Sequence, residues 1–300
     1  MTPPLDAYLA ARPVNTARSY RRSITSWLDW LGKEPAHATQ RDARQWAATL
    51  AACYRPASTA AKLSACASFH SWLVEQGLAR ANPFDGAQRP TVPHYANSAV
   101  LTAAEVRRLN SYLDAPPLRV LDPADLPPSR LRDRALVGFL LATGRWPSEI
   151  AGLRWSNLLN DGDLWTLEDH QVIPARSVRN IEDWHRAEDW IIRPGAYLWR
   201  RRQTYNNLPT VGPLDPDGHI TPCQIAAIVR KVGKRAGIPD LSPGALRNTF
   251  AALHLATTGD MDATARALGH AGTKTLGRLV DSPKGSAAMR EFGAVLEALR

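Results

Sequence analysis

The densest group of side chains that could do chemistry lies near the middle of the chain, where acids alternate with basic residues. Such a group could bind a divalent metal ion, but its alternating charges are more typical of a solvated loop. Its members are Glu182, Asp183, His185, Arg186, Glu188 and Asp189. No two histidines have metal-ligand spacing, and neither GxxxxGK[ST] nor GxGxxG occurs in the chain. We therefore expect no metal site and no cofactor.

Positive charge is unevenly distributed along the 300 residues. The chain has 37 Lys and Arg against 28 Asp and Glu, a net charge of +9. Residues 1–95 and 221–300 each have 11 basic and 6 acidic residues, whereas residues 96–220 have 15 and 16. Two basic ends around a balanced middle favour two surfaces that bind a polyanion such as nucleic acid. An Arg-rich protein without such a partner is the alternative.

Cysteine usage and hydropathy indicate the compartment. Cys53, Cys66 and Cys223 are too few and too scattered for a disulfide framework, and we expect buried thiols in a reducing compartment. No apolar run approaches the roughly 18 residues that a membrane span needs, and the first residues do not resemble a secretory signal. The sequence predicts a cytoplasmic, nucleoid-associated protein without a membrane partner.

Helical periodicity runs through the first ninety residues. Asn15-Thr16 is a candidate N-cap for a helix that ends at Gly32. Thr39 is predicted to cap a second helix, and Ser58-Thr59 to start a third that stops at Gly77.

A proline-rich stretch follows these helices, with Pro83, Pro90 and Pro93. It predicts an extended linker between a first domain, 1–95, and a second domain, 96–300. The next segment, LTAAEVRRLNSYL, has the pattern of a freshly capped helix.

Two segments of the second domain resemble the catalytic region of the tyrosine recombinase, or phage integrase, family. They are LRDRALVGFLLATGRWPSEIAGLRWSNL (131–158) and LSPGALRNTFAALHLATTGDMDATARALGHAGTKTLGRLV (241–280). Thr143-Gly144 and Ser148-Glu149 match the family's TGLRxSE motif. Arg247 falls in its HxLRHT helix and His270 in its LGH motif. The resemblance implies that Arg247 and His270 are DNA-binding residues at a phosphate.

The first domain resembles the family's core-binding domain. NTARSY matches its NTxxxY start, and ASTAAKLSACASFHSWLVEQGLARANP matches its third helix and the following turn. The resemblance implies helices that lie across the DNA major groove, with basic residues on phosphates. The residues expected at that surface are Arg18, Arg21, Arg22, Thr59 and Lys62. Alternatively, Arg21 and Arg22 only solvate the helix face opposite Trp27.

Three positions depart from the family's catalytic pattern. Trp146 replaces the arginine after TGL, Gly244 replaces the first histidine, and Leu279 replaces the nucleophilic tyrosine. Leucine has no nucleophilic atom, glycine cannot transfer a proton, and an indole cannot clamp a phosphate. Arg145, one residue from the missing arginine, is expected to contact a phosphate without restoring catalysis. No lysine occurs between Trp165 and Arg202 to act as general acid. We therefore expect no catalytic residues and no enzyme.

Two of the retained residues have alternative roles. Arg247 is either a phosphate ligand on the helix surface or a salt-bridge partner in the core. His270 either contacts a phosphate or makes a local contact with the backbone at a helix N-terminus.

Together these patterns predict a mainly α protein. A helical core-binding (SAM-like) domain precedes an α-rich, integrase-type domain with a small antiparallel sheet. The predicted function is sequence-specific binding of double-stranded DNA without cleavage, as a transcriptional regulator or an accessory factor of a mobile element. The first alternative is an atypical active site-specific recombinase, with a tyrosine supplied in trans or another nucleophile. The second is a protein-interaction module. The expected partners are double-stranded DNA and a second copy or a partner recombinase.

Overall fold

The protein is described here by a computed structural model. It describes residues 3–91, 99–115, 127–162, 164–168, 171–189, 192–202 and 214–298. The chain separates into two compact units, residues 1–96 and 97–300. Pro93 and the predicted domain boundary between residues 95 and 96 lie outside the described residues, so that boundary stays a prediction.

The N-terminal unit is built from helices. They are α1 (Pro3–Ala10), α2 (Val14–Leu31), α3 (Gln40–Cys53) and α4 (Pro56–Glu75), with a 3-10 turn at Pro35–His37. The predicted cap at Asn15-Thr16 is wrong, because α2 already begins at Val14, directly after Pro13. The predicted start at Ser58-Thr59 is late, because Pro56 occupies the first turn of α4, where its fixed φ favours the helix.

Two predicted helix ends are confirmed. Gly32 has a φ of 64° and its N–H donates to the carbonyl of Leu28, which closes α2. Thr39 accepts a hydrogen bond from the backbone N–H of Asp42, whose carboxylate in turn accepts from the backbone N–H of Thr39. This capping box fixes the start of α3.

A buried aromatic group holds the N-terminal unit together. Trp27 and His70 are both fully buried, and the indole Nε1–H of Trp27 donates to His70 Nε2 at 3.0 Å. Of the three cysteines, only Cys66 is buried, as expected. The same expectation is wrong for Cys53 and Cys223, which are exposed because they lie at the last residue of α3 and in the first turn of a later helix.

The C-terminal unit is larger and also mainly helical, which confirms the predicted fold class. Among the described residues, no helix is long and apolar enough to cross a membrane. The helices of the C-terminal unit are α5 (Ala103–Asp114), α6 (Pro128–Thr143), α7 (Pro147–Ile150), α8 (Ala175–Ala187), α9 (Pro222–Arg235), α10 (Pro243–Thr258), α11 (Met261–Ala267), α12 (Lys274–Val280) and α13 (Pro283–Glu297), with a 3-10 turn at Trp155–Asn157.

The predicted small antiparallel sheet is also present. Strands β1 (Leu158–Asn160), β2 (Trp165–Leu167) and β3 (Val172–Ile173) pair in that order, with Leu158 opposite Leu167. A separate pair joins β4 (Arg200–Arg202) to β5 (Leu214–His219). Helix α6 packs against α8 and α10. The core between these elements is lined by Leu136, Phe139, Leu140, Ile181, Trp184 and Trp199.

The acidic segment expected to be a solvated loop lies mostly in the C-terminal half of α8, and only Glu188 and Asp189 follow the helix. Asp183 accepts from Arg134 at 3.0 Å and from Arg186 at 3.2 Å, and His185 is fully buried. The segment forms a helix despite its many charges, because Val178, Ile181 and Trp184 form an apolar face that packs in the core. Within the described ranges, no group of three or more His, Cys, Asp or Glu side chains is placed to bind a metal ion.

Buried neutral histidines predict acid sensitivity. Burial lowers the pKa of His70 from 6.5 to about 4. The unfolded chain therefore takes up a proton at this histidine before the folded chain does. The contribution of His70 to the free energy of unfolding is fully present above about pH 6.5. It falls as the pH drops toward 4, and the complete loss is about 3 kcal/mol. Urea unfolding at pH 7 and pH 4.5 measures the loss.

The variant His70→Gln isolates this contribution, because an amide oxygen can still accept from Trp27 but does not titrate. We expect its stability to change less with pH than that of the wild type. His37, which is exposed, provides the control: His37→Gln should keep the wild-type pH dependence. Equal pH dependence in His70→Gln and the wild type would contradict the assignment.

Candidate functional site

Helix α10 positions Arg247 at its first turns. Ser242 precedes the helix and its Oγ accepts from the backbone N–H of Ala245 at 3.1 Å, while Pro243 occupies the first helical position. These two signals fix where α10 begins and therefore which face carries Arg247. That face is directed inward, since Arg247 is only 5% exposed.

The turn after α6 brings a backbone carbonyl to Arg247. Gly144 ends α6 with a φ of 64°, a conformation that favours glycine. A Cβ at this position would lie 2.5 Å from Phe250 Cδ1 and 2.9 Å from Leu268 Cδ2, so no other residue fits without displacing its neighbours. Arg247 Nη1 donates to the carbonyl of Gly144 at 2.6 Å.

The turn after α11 supplies the second carbonyl and the imidazole. Asp260 caps α11 by accepting from the backbone N–H groups of Asp262 and Ala263. Gly269, with a φ of 68°, reverses the chain, and the N–H of His270 donates to the carbonyl of Ala265 at 2.9 Å. This turn leaves the carbonyl of Leu268 free to accept from Arg247 Nη2 at 2.6 Å.

Arg247 and His270 are in direct contact. Arg247 Nη2 lies 2.9 Å from His270 Nε2. An arginine only donates, so Nε2 accepts and the proton of the neutral imidazole is on Nδ1. Within the described residues Nδ1 is buried without a hydrogen-bond partner. The three contacts of Arg247 use three of its five N–H groups, which leaves two donors for a ligand.

Two further side chains complete the surroundings of Arg247. Glu149 Oε2 lies 3.6 Å from its Nη1, and the Trp146 ring centre lies 5.1 Å from its Cζ. The backbone N–H of Trp146 donates to the same Glu149 oxygen at 2.5 Å. Trp146 is 43% exposed, so the indole faces solvent with part of its surface while Arg247 beside it is buried.

Electrostatics at the site favour an anion. Burial lowers the pKa of Arg247; Glu149 raises it in part, and the charge of Arg145 lowers it further. The pKa of His270 is also lowered, by burial and then by the charge of Arg247. A neutral imidazole therefore lies beside a guanidinium that repels a second guanidinium. The carboxylate of Glu149 already offsets this repulsion in part, and a phosphate oxygen would offset it further.

The expected positions of Arg145 and Arg247 differ in part from those observed. Arg145 Nε donates to Gln171 Oε1 at 2.8 Å, and Gln171 Nε2 donates to the carbonyl of Thr143 at 2.7 Å, so Arg145 is tied to its own turn. Arg247 is buried, as in the alternative of a core salt-bridge partner, rather than lying on the helix surface. Their roles as DNA ligands remain predictions.

The N-terminal unit presents only part of the predicted DNA surface. Arg18 and Arg22 are exposed on α2, whereas Arg21 forms an ion pair with Asp6 at 2.7 Å. The ammonium group of Lys62 lies 4.6 Å from the ring centre of Tyr54.

Thr59 is not at that surface. It is 1% exposed, and its hydroxyl donates to the carbonyl of Leu50 at 3.3 Å, across the contact between α3 and α4. The prediction for Thr59 is therefore wrong, because this hydroxyl satisfies a carbonyl at the end of α3.

The three departures from the catalytic pattern have structural consequences. Leu279, on α12, is 4% exposed and packs in a cluster with Ala251, Ala265, Leu268 and Leu276. Gly244 lies beside the indole of Trp146. His185 Nε2 lies 2.9 Å from the carbonyl of Leu198 and donates to it, so this buried ring is not available as the missing general acid.

Sequence reasoning missed Glu149 and Gln171 as members of the site. Glu149 stood in the matched motif without a role, although an acid three residues after a turn residue is the signal of a capping interaction. Gln171 has no comparable signal, since it reaches Arg145 only because the segment that leads into β3 packs against α6.

Comparisons with known proteins identify the family. The model of the Phage integrase family matches residues 99–282, and that of the Phage integrase, N-terminal SAM-like domain, matches residues 6–77. Tyrosine recombinase XerD of Chlorobaculum tepidum is 31% identical over 85% of this chain and 82% of its own length. Tyrosine recombinase XerC of Xylella fastidiosa strain M23 is 27% identical over 87% and 84%.

Solved structures agree in fold. A lambda integrase dimer bound to a COC′ core site has a TM-score of 0.64 at 14% identity, covering 92% of this chain and 93% of that one. The Tn1549 transposon integrase in complex with transposon right end DNA has a TM-score of 0.59 at 19% identity, covering 95% and 98%. At such identities the likeness concerns the fold alone.

The prediction that this chain is not an enzyme is wrong. It rested on three substituted positions, whereas the relatives that match 85–87% of the chain are named tyrosine recombinases. The comparisons also give no support to a role in transcription regulation or in a mobile element. The chain belongs to the phage integrase family.

Proposed function

We propose that this chain is a site-specific DNA recombinase that binds duplex DNA with the reacting phosphate at Arg247 and His270. The observation that carries the proposal is the contact of 2.9 Å between a buried guanidinium and a neutral imidazole. Two donors of Arg247 remain for phosphate oxygens. The relatives' name, tyrosine recombinase, gives the class of reaction.

The chemistry at this site is stabilisation of charge. When an oxygen nucleophile attacks phosphorus, negative charge increases on the phosphoryl oxygens, and a fixed, partly buried guanidinium stabilises it. Arg247 is held by two backbone carbonyls, so little reorganisation is needed during the reaction. His270 fixes the guanidinium from the side of Nη2 and keeps its own proton on Nδ1.

The nucleophile has to come from another position than 279. In the reaction that we propose, a phenol gives up its proton and its oxygen forms a bond to phosphorus. The bond from phosphorus to a sugar oxygen breaks, and that sugar oxygen takes up a proton in exchange. Tyr112 and Tyr197, the tyrosines described in the C-terminal unit, each have a guanidinium about 4.0 Å above the ring, from Arg130 and Arg154. We infer that a partner recombinase supplies the tyrosine. Lambda integrase forms a tetramer on a Holliday junction in a solved structure, and an assembly of that kind would allow this.

The first prediction concerns the covalent step. DNA sites bound by this chain, mapped across the genome, are made as nicked substrates and incubated with the chain alone and with a partner recombinase that co-purifies with it. We expect a denaturant-stable protein–DNA adduct only in the mixture, on the partner's tyrosine, because Leu279 has no nucleophilic atom.

Tyr112→Phe and Tyr197→Phe serve as matched controls, and neither should change the yield of adduct. If an adduct forms on this chain and is lost in one of these variants, the substituted tyrosine is the nucleophile and no partner is needed to supply it. Absence of any adduct both with the chain alone and in the mixture would contradict the recombinase proposal.

The second prediction concerns the N-terminal unit. Arg18 and Arg22 are exposed, and we expect each to neutralise one phosphate. The double variant Arg18→Gln, Arg22→Gln should bind DNA more weakly and lower the slope of log K against log salt by about 1.8 in total. Arg21→Gln is the control, since Arg21 is paired with Asp6, and its slope should change less. Equal slopes for the double variant and the wild type would exclude this surface.

The third prediction concerns Arg247. Arg247→Ala removes three hydrogen bonds and leaves two buried carbonyls without this donor, so we expect a loss of about 3 kcal/mol in the free energy of unfolding. The folded fraction should bind specific and random duplexes more weakly by similar factors. Arg247→Lys retains the charge and tests the forked geometry. A destabilised Arg247→Ala whose folded fraction binds DNA normally would restrict Arg247 to a structural role.

A further inference from the structure

Trp146 lies on the guanidinium of Arg247. Its ring centre is 5.1 Å from Arg247 Cζ, and its backbone N–H is fixed by Glu149. Yet Trp146 is 43% exposed, although Pro147 and Ile150 of the following helix α7 are buried. What distinguishes Trp146 from the other exposed apolar side chains is that its ring lies beside a buried guanidinium.

Gly244 provides the space that the indole needs. A Cβ built on Gly244 would lie 3.9 Å from Cζ3 and Cη2 of Trp146, which is ordinary van der Waals contact. One carbon therefore fits between α10 and the ring, whereas a longer side chain directed toward the indole would displace it. The φ of Gly244 is not in the left-handed region, so backbone conformation does not require glycine here.

We propose that Trp146 is a positioning residue for Arg247 and that Gly244 is kept small to admit its indole. This inference rests on the proposed function, because it takes from it that Arg247 binds a DNA phosphate. Trp146 covers one face of the guanidinium and excludes water from it. The cation is thereby held in the plane set by Gly144, Leu268 and His270, with its two remaining donors directed to the ligand.

The geometry explains how an indole can serve here without touching DNA. The three hydrogen bonds of Arg247 all lie in the plane of the guanidinium, so they do not prevent water from reaching its faces. An aromatic ring over one face supplies an attraction perpendicular to that plane. Interactions of this type correspond to roughly threefold to thirtyfold in a binding constant when the cation is partly desolvated.

The experiment is a double-mutant cycle on the full-length chain, read out as the dissociation constant for duplex DNA and its salt dependence. Trp146→Ala and Trp146→Phe are each measured with Arg247 present and in Arg247→Gln, whose amide can still donate to a carbonyl. We expect Trp146→Ala to weaken binding about threefold to thirtyfold and to flatten the salt slope when Arg247 is present. In Arg247→Gln it should have little effect, and Trp146→Phe should retain most of the affinity.

Gly244 gives a matched pair of variants. Gly244→Ala should bind DNA as the wild type does, because its Cβ is accommodated, while Gly244→Leu should weaken binding about as much as Trp146→Ala. In Trp146→Ala, adding Gly244→Leu should cause no further loss, since the ring that it would displace is absent. Thermal unfolding of each variant identifies any that fails to fold, and Gly244→Ala with Trp146→Phe then carries the test.

The possible failures are distinguishable. If Arg247→Gln leaves DNA affinity unchanged, the proposed function fails at Arg247, and this inference fails with it. If Arg247→Gln weakens binding but Trp146→Ala does not, only the inference is overturned. It is also overturned if Trp146→Ala weakens binding equally in both backgrounds, since Trp146 would then contact DNA itself, or if Gly244→Leu binds like the wild type.

Discussion

Burial of the Arg247 guanidinium is the constraint on which the C-terminal unit depends. A charge removed from water is tolerated only with hydrogen-bond acceptors around it, and here two of them are backbone carbonyls, of Gly144 and Leu268. Those carbonyls belong to the end of α6 and to the turn after α11, while Arg247 is on α10. One side chain thus joins three segments of the chain. In sequence, Gly144 lies 103 residues and Leu268 lies 21 residues from Arg247. A substitution of Arg247 is therefore expected to affect both the stability of this unit and the geometry of the site.

The same constraint explains which substitutions the scaffold accepts. Leu279 packs against Leu268 and Leu276, so an apolar side chain there supports the turn that presents the Leu268 carbonyl. The large ring of Trp146 lies opposite Gly244, a residue without a side chain. The catalytic positions of the family are therefore filled in ways that preserve the geometry around Arg247. Substitutions at these positions reflect local packing, and a lack of enzymatic activity cannot be inferred from them alone.

Local signals in the sequence were sufficient for much of the fold but for less of the site. Thr39 and Gly32 act through neighbours within four residues, so their roles can be predicted from sequence spacing. Thr59 was misplaced because its burial depends on where α3 ends against α4, a contact that periodicity does not encode. The burial of Arg247 and the position of Gln171 depend likewise on contacts distant in sequence. A resemblance in motifs identifies such residues but not their exposure or partners.

In the reaction that we propose, phosphate binding is separate from nucleophilic attack. Arg247 and His270 are held by hydrogen bonds that do not involve α12, whereas position 279 lies on α12 within an apolar cluster. The phosphate-binding geometry therefore does not require a tyrosine at position 279, and a tyrosine from a second molecule would meet a site that is already organised. An electrostatic site preorganised in this way acts on any oxygen nucleophile that reaches the phosphorus. Under our proposal, the identity of the attacking molecule is therefore decided by assembly on DNA rather than by the fold of this chain.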